Sequence, residues 1–397
     1  MRQDQPLNKK RVITTLFLAA LLLPLFFSTP ASVQAQDSVP VVQDENAGLC
    51  LPNQDESYQT QNCLMQGPAK NLQDLAEVGI TFPEAPLFMT NPPSNLGSVP
   101  FTYALTIKEE IPLYKNLADI EAGITTDKLP AGKIKYVSII DKAETSKGIY
   151  YKIANEKWLS KETVSLKSPP FFQGYEFVEN PTQPFAWVLD QTVSRTEPSI
   201  NAPETGKTYY RFNLVHTYES VMENETEWVR IGPREWISHI SLARVIPNND
   251  KPEAVTADRW IEVNLYEQVM LIHEGDQVVF ATLVATGADP FFTQPGVFQI
   301  YKMIDHEYMR GAFEADRSDY YYLEDVPYIM YFDQARALHG AYWHTLFGYE
   351  LSHGCVNLSI ADAHWLYDWA QMGDFVYVWD PSGRTPTDPT YYGSGGA

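Results

Sequence analysis

Short segments in which apolar and polar side chains alternate dominate the C-terminal half of this 397-residue chain. The clearest is RWIEVNLYEQVMLIHEGDQVVFATLVATG, which begins at Arg259 and contains glycine-bearing turns. A period of two places successive side chains on opposite faces, which is the pattern of a strand and not of a helix. The segment therefore predicts two or three antiparallel strands. The abundance of Tyr, Trp, Pro and Thr also favours a mainly β fold.

One segment has the signals of a helix, SIADAHWLYDWAQMG, which begins at Ser359. Ser359 and Asp362 form a start that resembles a capping box, and Gly373 is a C-terminal stop signal. We therefore expect a mainly β, multidomain chain whose last domain contains one or two helices.

Two similar blocks lie upstream, YYKIANEKWLS from Tyr150 and EWVRIGPREWIS from Glu227. Matching residues are 78 positions apart, and each block indicates a strand, a tight turn and a Trp-led strand. The blocks resemble bacterial SH3-like modules. They predict two small SH3-like β-barrels at residues 96–170 and 180–248, separated by a Pro-rich spacer.

The N-terminal residues are typical of a secretory signal peptide. Lys9, Lys10 and Arg11 precede an apolar run, and small residues ending at Ala35 suit signal peptidase. An uncleaved anchor is the alternative, but the run is shorter than the ~20 residues that a membrane span needs. We expect residues 1–35 to be removed, leaving no stable membrane span and an exported protein, either extracellular at the cell wall or periplasmic.

Charge excludes one class of partner. The chain has a formal charge of −21. Residues 1–35 carry four cations and Asp4, so the remainder holds about −24. Such a surface repels phosphate, and binding to nucleic acid is not expected.

The cysteines have different expected fates in an exported chain. Cys50 and Cys63 lie in a loop-like stretch and predict a disulfide, with free thiols as the alternative. Residues 36–95 are expected to be a loosely structured segment closed by this bridge, and residues 381–397 a disordered tail. Cys355 is left without a partner.

Three of the eight histidines lie close to Cys355, namely His339, His344 and His353. An imidazole can accept the thiol proton near neutral pH, which makes Cys355 a candidate nucleophile. Gly354 allows a sharp turn that aims amide N–H groups at a developing oxyanion. Three alternatives remain open at this stage: a buried structural cysteine, a zinc site, and a purely loop-capping role for His344.

The segment HGAYWHTLFGYELSHGCVNLS resembles the signature of the L,D-transpeptidase (YkuD-type) catalytic domain. His339 and the run Ser352–Asn357 occupy the signature positions, and ATG at Ala285 and PGVFQI at Pro295 extend the resemblance over 257–380. The order Thr293-Gln294-Pro295-Gly296 departs from the family's usual TPxG. The resemblance does not reach residues 36–250.

The resemblance implies roles for individual residues. Cys355 would be the nucleophile, His339 the general base and proton donor, and Gly340 the residue whose carbonyl orients His339. His353 and Gly354 would shape the oxyanion hole. Substrate-pocket candidates are Trp343, Ser352, Asn357 and Tyr331. Of these Tyr331 is a weaker candidate, as are Met303 and Met309, because core packing explains these three equally well.

Membership of this family implies peptidoglycan stem peptides as substrates and neither cofactor nor metal. The thiol would attack a tetrapeptide stem, release D-alanine and pass the acyl group to an amine, forming a 3→3 cross-link. Carbapenem-type inhibitors would acylate the same thiol. The alternatives are an L,D-carboxypeptidase, a cell-wall cysteine peptidase of the NlpC/P60 type and a non-catalytic wall-binding protein. In the NlpC/P60 type the cysteine precedes its histidine, whereas His339 precedes Cys355 here.

Overall fold

The computed structural model describes residues 48–49, 63–64, 68–82, 84, 86–247, 251–312, 316–317 and 319–393. The chain divides into two compact units, 1–66 and 67–397. In the first unit the described residues form two short parallel strands, Gly48–Leu49 (β1) and Cys63–Leu64 (β2). The predicted signal peptide, Cys50 and the Cys63 side chain lie outside the described residues, so signal cleavage and the disulfide stay predictions.

Within its described part, the second unit contains three α-helices: α1 Pro68–Glu77, α2 Leu117–Ala122 and α3 Ile360–Trp369. The strands that precede the C-terminal region are, in chain order, β3 Met89–Thr90, β4 Thr102–Thr106, β5 Ile111–Leu113, β6 Asp127–Leu129, β7 Ile134–Thr145, β8 Gly148–Ile153, β9 Trp158–Ser160, β10 Val164–Lys167, β11 Tyr175–Phe177, β12 Phe185–Val188, β13 Thr192–Arg195, β14 Glu204–Tyr209, β15 Leu214–His216, β16 Ser220–Glu223, β17 Thr226–Gly232, β18 Glu235–Ser238 and β19 Leu242–Val245. The C-terminal strands are β20 Arg259–Asn264, β21 Val269–Glu274, β22 Gln277–Leu283, β23 Gly296–Gln299, β24 Lys302–Gly311, β25 Tyr321–Asp333, β26 Arg336–Gly340, β27 Val356–Leu358 and β28 Phe375–Trp379. Short 3-10 helices lie at Ser94–Gly97, Lys161–Thr163, His239–Ser241 and Pro389–Tyr391. The chain is mainly β, as predicted. No helix among the described residues is long and apolar enough to cross a bilayer.

The alternating segment that begins at Arg259 folds as three consecutive antiparallel strands, β20, β21 and β22. They lie in a seven-stranded sheet with the order β23-β28-β20-β21-β22-β11-β3. The side chains of one face, including Ile261 and Ile272, pack with Leu366 of α3 in the largest core cluster. Burying each such side chain contributes about 1.5–3 kcal/mol, so the predicted alternation determines which face carries the helix.

Helix α3 begins as predicted, because the Ser359 hydroxyl accepts a hydrogen bond from the Asp362 amide at 3.1 Å. It ends earlier than predicted. Trp369 is its last residue, whereas Gly373, with φ +94°, lies in the following turn. The Gly373 amide donates to the Ile300 carbonyl at 2.8 Å, so this glycine shapes the approach to β28 and does not stop the helix.

A second sheet, with the backbone order β10-β4-β7-β25-β26-β27, joins the first upstream module to the C-terminal region. Ile134 and Tyr136 of β7 pair in parallel with Tyr321 and Leu323 of β25. The carboxylate of Glu324, on the same strand, accepts a hydrogen bond from the Ser138 amide at 3.0 Å. The first upstream module and the C-terminal region therefore share one sheet, and the predicted domain boundaries stay predictions.

The 78-residue repeat is present in the local structure. Strands β8 and β17 begin at Gly148 and Thr226, and β10 and β19 begin at Val164 and Leu242. The register is also the same, since Lys152 pairs with Trp158 in one block and Arg230 with Trp236 in the other. The SH3-like identity of the blocks stays a prediction.

Two segments that were expected to be irregular are structured. The predicted loose segment contributes α1 and β3, and the predicted spacer contributes β11, which pairs with β22. A Cβ on Gly174, just before β11, would lie 2.3 Å from the Ala281 carbonyl oxygen, so the spacer backbone packs directly on the sheet.

The tail, which the sequence predicts to be disordered, makes contacts with the rest of the chain as far as residue 393. Arg336 donates from Nη2 to the Gly393 carbonyl at 3.1 Å, and its guanidinium lies 5.3 Å from the centre of the Tyr392 ring. The Pro-, Gly- and Thr-rich composition of the tail does not reveal an anchor that lies more than fifty residues away in the sequence.

Candidate active site

The parallel pairing of β26 and β27 brings together the two halves of the motif. His339 pairs with Asn357 and Leu338 with Val356, which places Cys355 immediately before β27 and beside β26. Cys355 is 5 % exposed and His339 is 2 % exposed. Both line a cavity of about 320 Å³. The described residues that line this Cys355 cavity are Leu105, Lys133, Ile134, Tyr136, Met309, Tyr321, Leu323, His339, Trp343, His344, Leu346, Leu351, Ser352, His353, Cys355 and Asn357.

The His339 ring is held in one orientation by the neighbouring carbonyl. Its Nδ1 lies 3.2 Å from the Gly340 oxygen, and a carbonyl only accepts, so Nδ1 carries the proton. Nε2 then keeps its lone pair. Burial lowers the pKa of His339 to about 4, and the hydrogen bond to Gly340 opposes this only in part. The imidazole is therefore neutral at physiological pH and able to accept a proton.

The Cys355 thiol is also neutral before substrate arrives. Burial raises its pKa to about 11, while the Ala337 backbone and the Arg336 charge lower it. Its Sγ lies 3.8 Å from the Ala335 carbonyl oxygen, a weak hydrogen bond that suits a protonated thiol. The resting site therefore holds an uncharged thiol and an uncharged imidazole in one cavity.

The turn that carries Cys355 depends on Gly354, whose φ is +112°. A Cβ at this position would lie 3.1 Å from Arg336 Nε. The Gly354 amide donates to the Ser352 hydroxyl at 3.1 Å, and this hydroxyl donates in turn to the Cys355 carbonyl. Since the Gly354 amide is already engaged, the expected oxyanion-hole role requires it to exchange partners when substrate binds.

Thr293 supports the same turn from the loop that departs from the family pattern. Its hydroxyl donates to the Gly354 carbonyl at 2.9 Å and accepts from the Gly287 amide at 2.9 Å. The side chain is 1 % exposed. In the sequence this loop is notable only for its altered residue order. Nothing in that order indicates that Thr293 hydrogen-bonds to the turn that carries Cys355.

Asn357 and His344 form a second bracing pair. The Leu346 amide donates to His344 Nδ1 at 3.1 Å, so the proton of the neutral ring is on Nε2. That nitrogen lies 3.0 Å from Asn357 Nδ2, so the Asn357 amide accepts from the ring when it is turned by 180° to exchange its nitrogen and oxygen. Burial lowers the pKa of His344 to about 4, which keeps it neutral. His344 thus caps its own loop and also lines the Cys355 cavity.

The remaining predicted residues are distributed around the cavity. His353 is half-buried, with its ring centre 5.9 Å from that of Tyr321 and 4.9 Å from that of Phe291. The Trp343 ring centre lies 5.7 Å from that of His339. Met309 lines the cavity, whereas Met303 packs against the main core.

Tyr331 is not among the cavity-lining residues, and its hydroxyl donates to a carboxylate oxygen of Glu307. Cys355 nevertheless contributes to raising the pKa of this tyrosine, after burial and Glu307. Tyr331, predicted as a pocket residue, is therefore near enough to Cys355 to interact with it electrostatically, but it does not line the cavity.

Arg336 is a site residue that sequence reasoning missed. It is 3 % exposed, and its Nη1 lies 2.6 Å from Oδ2 of Asp333. Among the described residues its Nε has no hydrogen-bond partner. The one sequence signal was an arginine three positions before the expected base, in the segment RALHG.

A larger cleft of about 580 Å³ lies elsewhere, beside the second upstream module. Its buried carboxylate, Glu267, is already paired with Arg244 at 2.6 Å and with His239 at 3.0 Å. No cysteine is among the described residues that line this cleft, so the smaller Cys355 cavity is the candidate active site. Among the described residues, no three of His, Cys, Asp and Glu are placed to hold a metal ion.

Residues 258–378 match the family model of the L,D-transpeptidase (YkuD) catalytic domain. No curated protein matches the chain. Similar solved structures include an L,D-transpeptidase mutant from Enterococcus faecium, 24 % identical, covering 31 % of this chain and 50 % of that one, with a TM-score of 0.28. An L,D-transpeptidase from Stackebrandtia nassauensis is 26 % identical over 38 % of this chain and 65 % of that one, with a TM-score of 0.28. The Ldtfm–avibactam carbamoyl enzyme is 25 % identical over 31 % and 49 %, also with a TM-score of 0.28. The chain thus spans about half to two thirds of the length of these proteins.

Proposed function

We propose that this protein is a peptidoglycan L,D-transpeptidase in which Cys355 carries the acyl group. The observation that supports the proposal is that a buried thiol and a buried neutral imidazole line one cavity within the residues that match the family model. A nucleophile, a base and a base-orienting carbonyl are the parts that covalent acyl transfer needs.

Acylation begins when the Cys355 sulfur bonds to the carbonyl carbon of the third stem residue and His339 Nε2 accepts the thiol proton. The negative charge passes to the carbonyl oxygen, where amide donors of the 353–355 turn stabilise it. The intermediate then expels D-alanine, whose amine takes the proton from His339. This leaves a thioester on Cys355.

Transfer reverses the proton path. An acceptor amine gives a proton to His339 and attacks the thioester, and the expelled sulfur regains the proton from His339. Because both side chains are neutral at rest, charge develops only as the bonds change. Hydrogen-bond donors that are already oriented can then stabilise this charge as it develops.

Export fits a cell-wall substrate, and the upstream blocks would position the catalytic domain on the wall as SH3-like modules. Carbapenem-type inhibitors would acylate Cys355, because their strained carbonyl presents the same electrophile as the stem. If water replaces the amine, the same thioester gives an L,D-carboxypeptidase.

The test uses residues 36–397 with a purified tetrapeptide stem. We expect D-alanine release and a dimer with a 3→3 bond, and we expect Cys355→Ala to abolish both while the circular dichroism spectrum is unchanged. A carbapenem mass adduct should form on the wild type and be absent from Cys355→Ala.

Other outcomes distinguish the alternatives. Release of D-alanine without any dimer, at saturating acceptor, would indicate the carboxypeptidase. A Cys355→Ala variant with full activity would contradict the proposed mechanism. A stem cleaved at an internal peptide bond would indicate the peptidase.

A further inference from the structure

One wall of the Cys355 cavity comes from outside the segment that matches the family model. Leu105, Lys133, Ile134 and Tyr136 belong to the first upstream module, yet they line the cavity together with Cys355. The parallel pairing of β7 with β25 fixes this wall, since Ile134 is opposite Tyr321. The module is therefore part of the pocket.

Lys133 is held in place by the same pairing. Its backbone amide donates to the Tyr320 carbonyl at 2.8 Å, immediately before β7 begins. The side chain is exposed at the cavity, and among the described residues it has no ion pair or hydrogen bond. The hydroxyl of nearby Tyr136 donates to the Trp343 carbonyl at 3.3 Å, which connects this wall to the predicted substrate-pocket aromatic.

The charge of the cavity differs from that of the whole chain. The chain has a formal charge of −21, but no Asp or Glu is among the described residues that line the cavity. Lys133 is the one lysine or arginine among them. Lys133 also acts on the residues beside Cys355. Burial lowers the pKa of His353, Asp319 raises it, and the charge of Lys133 lowers it further.

We propose that Lys133 binds the terminal carboxylate of the donor peptide in the Cys355 cavity. The inference rests on the proposed function, which makes the leaving group an amino acid with a free carboxylate. That carboxylate lies one residue, about 3.5 Å of extended chain, beyond the carbonyl that Cys355 attacks. It therefore falls within the same cavity, where a lysine can donate to it in a charge-assisted hydrogen bond.

The assignment gives the upstream module a role in specificity. A carboxylate that approaches a strongly acidic protein is repelled by most of its surface, whereas the described lining of this cavity offers it a lysine and no carboxylate. The donor would be recognised by its free C-terminus, and a stem that is extended or amidated there would bind less well.

The test measures binding without turnover. In a Cys355→Ala background, calorimetry compares a tetrapeptide ending in D-alanine with the same peptide ending in D-alanine amide. We expect the carboxylate peptide to bind about tenfold more tightly, as one charge-assisted hydrogen bond predicts. Lys133→Gln should remove this preference by weakening only the carboxylate peptide, and Lys133→Arg should retain most of it.

Lys161→Gln is the matched control, because it removes the same charge from an exposed position of the same module that does not line the cavity. Equal weakening of both peptides by Lys133→Gln, or no weakening of either, would overturn the inference. Turnover of Lys133→Gln with native Cys355 is a separate readout. If the binding preference holds while the wild type releases no D-alanine, the proposed function fails and the carboxylate site stands.

Discussion

Asp362 is fully buried where the spacer, the central sheet and helix α3 meet. Its carboxylate accepts hydrogen bonds from the Gly174 amide at 2.8 Å and from the Thr282 hydroxyl at 2.6 Å. Burial raises its pKa from 3.8 to about 6, against the lowering effects of Thr282, Gly174 and Ser359. The folded protein therefore binds a proton at this site more tightly than the unfolded chain does.

The sign and size of the consequence follow from linkage. Between pH 3.8 and about pH 6 the folded state holds a proton that the unfolded state has lost, so stability falls as pH rises through this window. A gap of about two pKa units corresponds to about 3 kcal/mol. Asp362→Asn removes the titration and keeps an acceptor oxygen for the Gly174 amide, while the side-chain NH2 takes the place of the oxygen that accepts from Thr282, whose hydroxyl can accept in return. Relative to wild type, the variant should gain up to about 3 kcal/mol in free energy of unfolding between pH 4 and pH 7.

Urea unfolding of both proteins at half-unit pH intervals, followed by tryptophan fluorescence, measures this difference directly. Asp258→Asn, at a side chain that is 88 % exposed, is the control and should follow the wild-type curve. Parallel curves for wild type and Asp362→Asn would refute the reasoning, as would a variant that loses stability toward neutral pH.

Two further predictions concern the support of the nucleophile turn. Arg336→Met leaves Asp333 buried without a counter-charge and should lower the free energy of unfolding by about 3–5 kcal/mol. Adding Asp333→Asn should restore most of this stability. A double variant that is no more stable than Arg336→Met would contradict this account. Gly354→Ala should cost about 1–3 kcal/mol through backbone strain and, by crowding Arg336, should slow formation of the carbapenem adduct. Gly148→Ala is the control for Gly354→Ala, because φ at Gly148 is also positive, +115°, but no heavy atom lies within 4 Å of the added Cβ. If the carbapenem adduct forms as fast in Gly354→Ala as in Gly148→Ala, crowding of Arg336 is unimportant.

The parts of the site that sequence could predict are those encoded within a short segment. The alternation after Arg259 is a local pattern and determines three strands. The signature around Cys355 places the thiol and His339 in one motif, and the pairing of β26 with β27 brings them to the same cavity. The contact of His339 with the Gly340 carbonyl is likewise between neighbours in sequence.

The features that were missed depend on contacts between distant residues. Strand β11 has only three residues, too few to show a period of two, and it is a strand because β22 and β3 offer it partners. Arg336 appeared as a polar residue in an apolar strand, and its role depends on Asp333 and on a tail with no recognisable pattern. The contribution of Lys133 to the cavity likewise depends on the pairing of β7 with β25.

That pairing has a consequence for how the protein is divided experimentally. A fragment limited to residues 258–378 would keep every residue of the catalytic motif, but it would lose the hydrogen-bonded neighbour of β25 and one wall of the cavity. The uncovered strand edge would offer unpaired amides and carbonyls to other chains, a common route to aggregation. The segment recognisable by family signature is therefore smaller than the unit that folds, and expression of the catalytic region should begin upstream of β4.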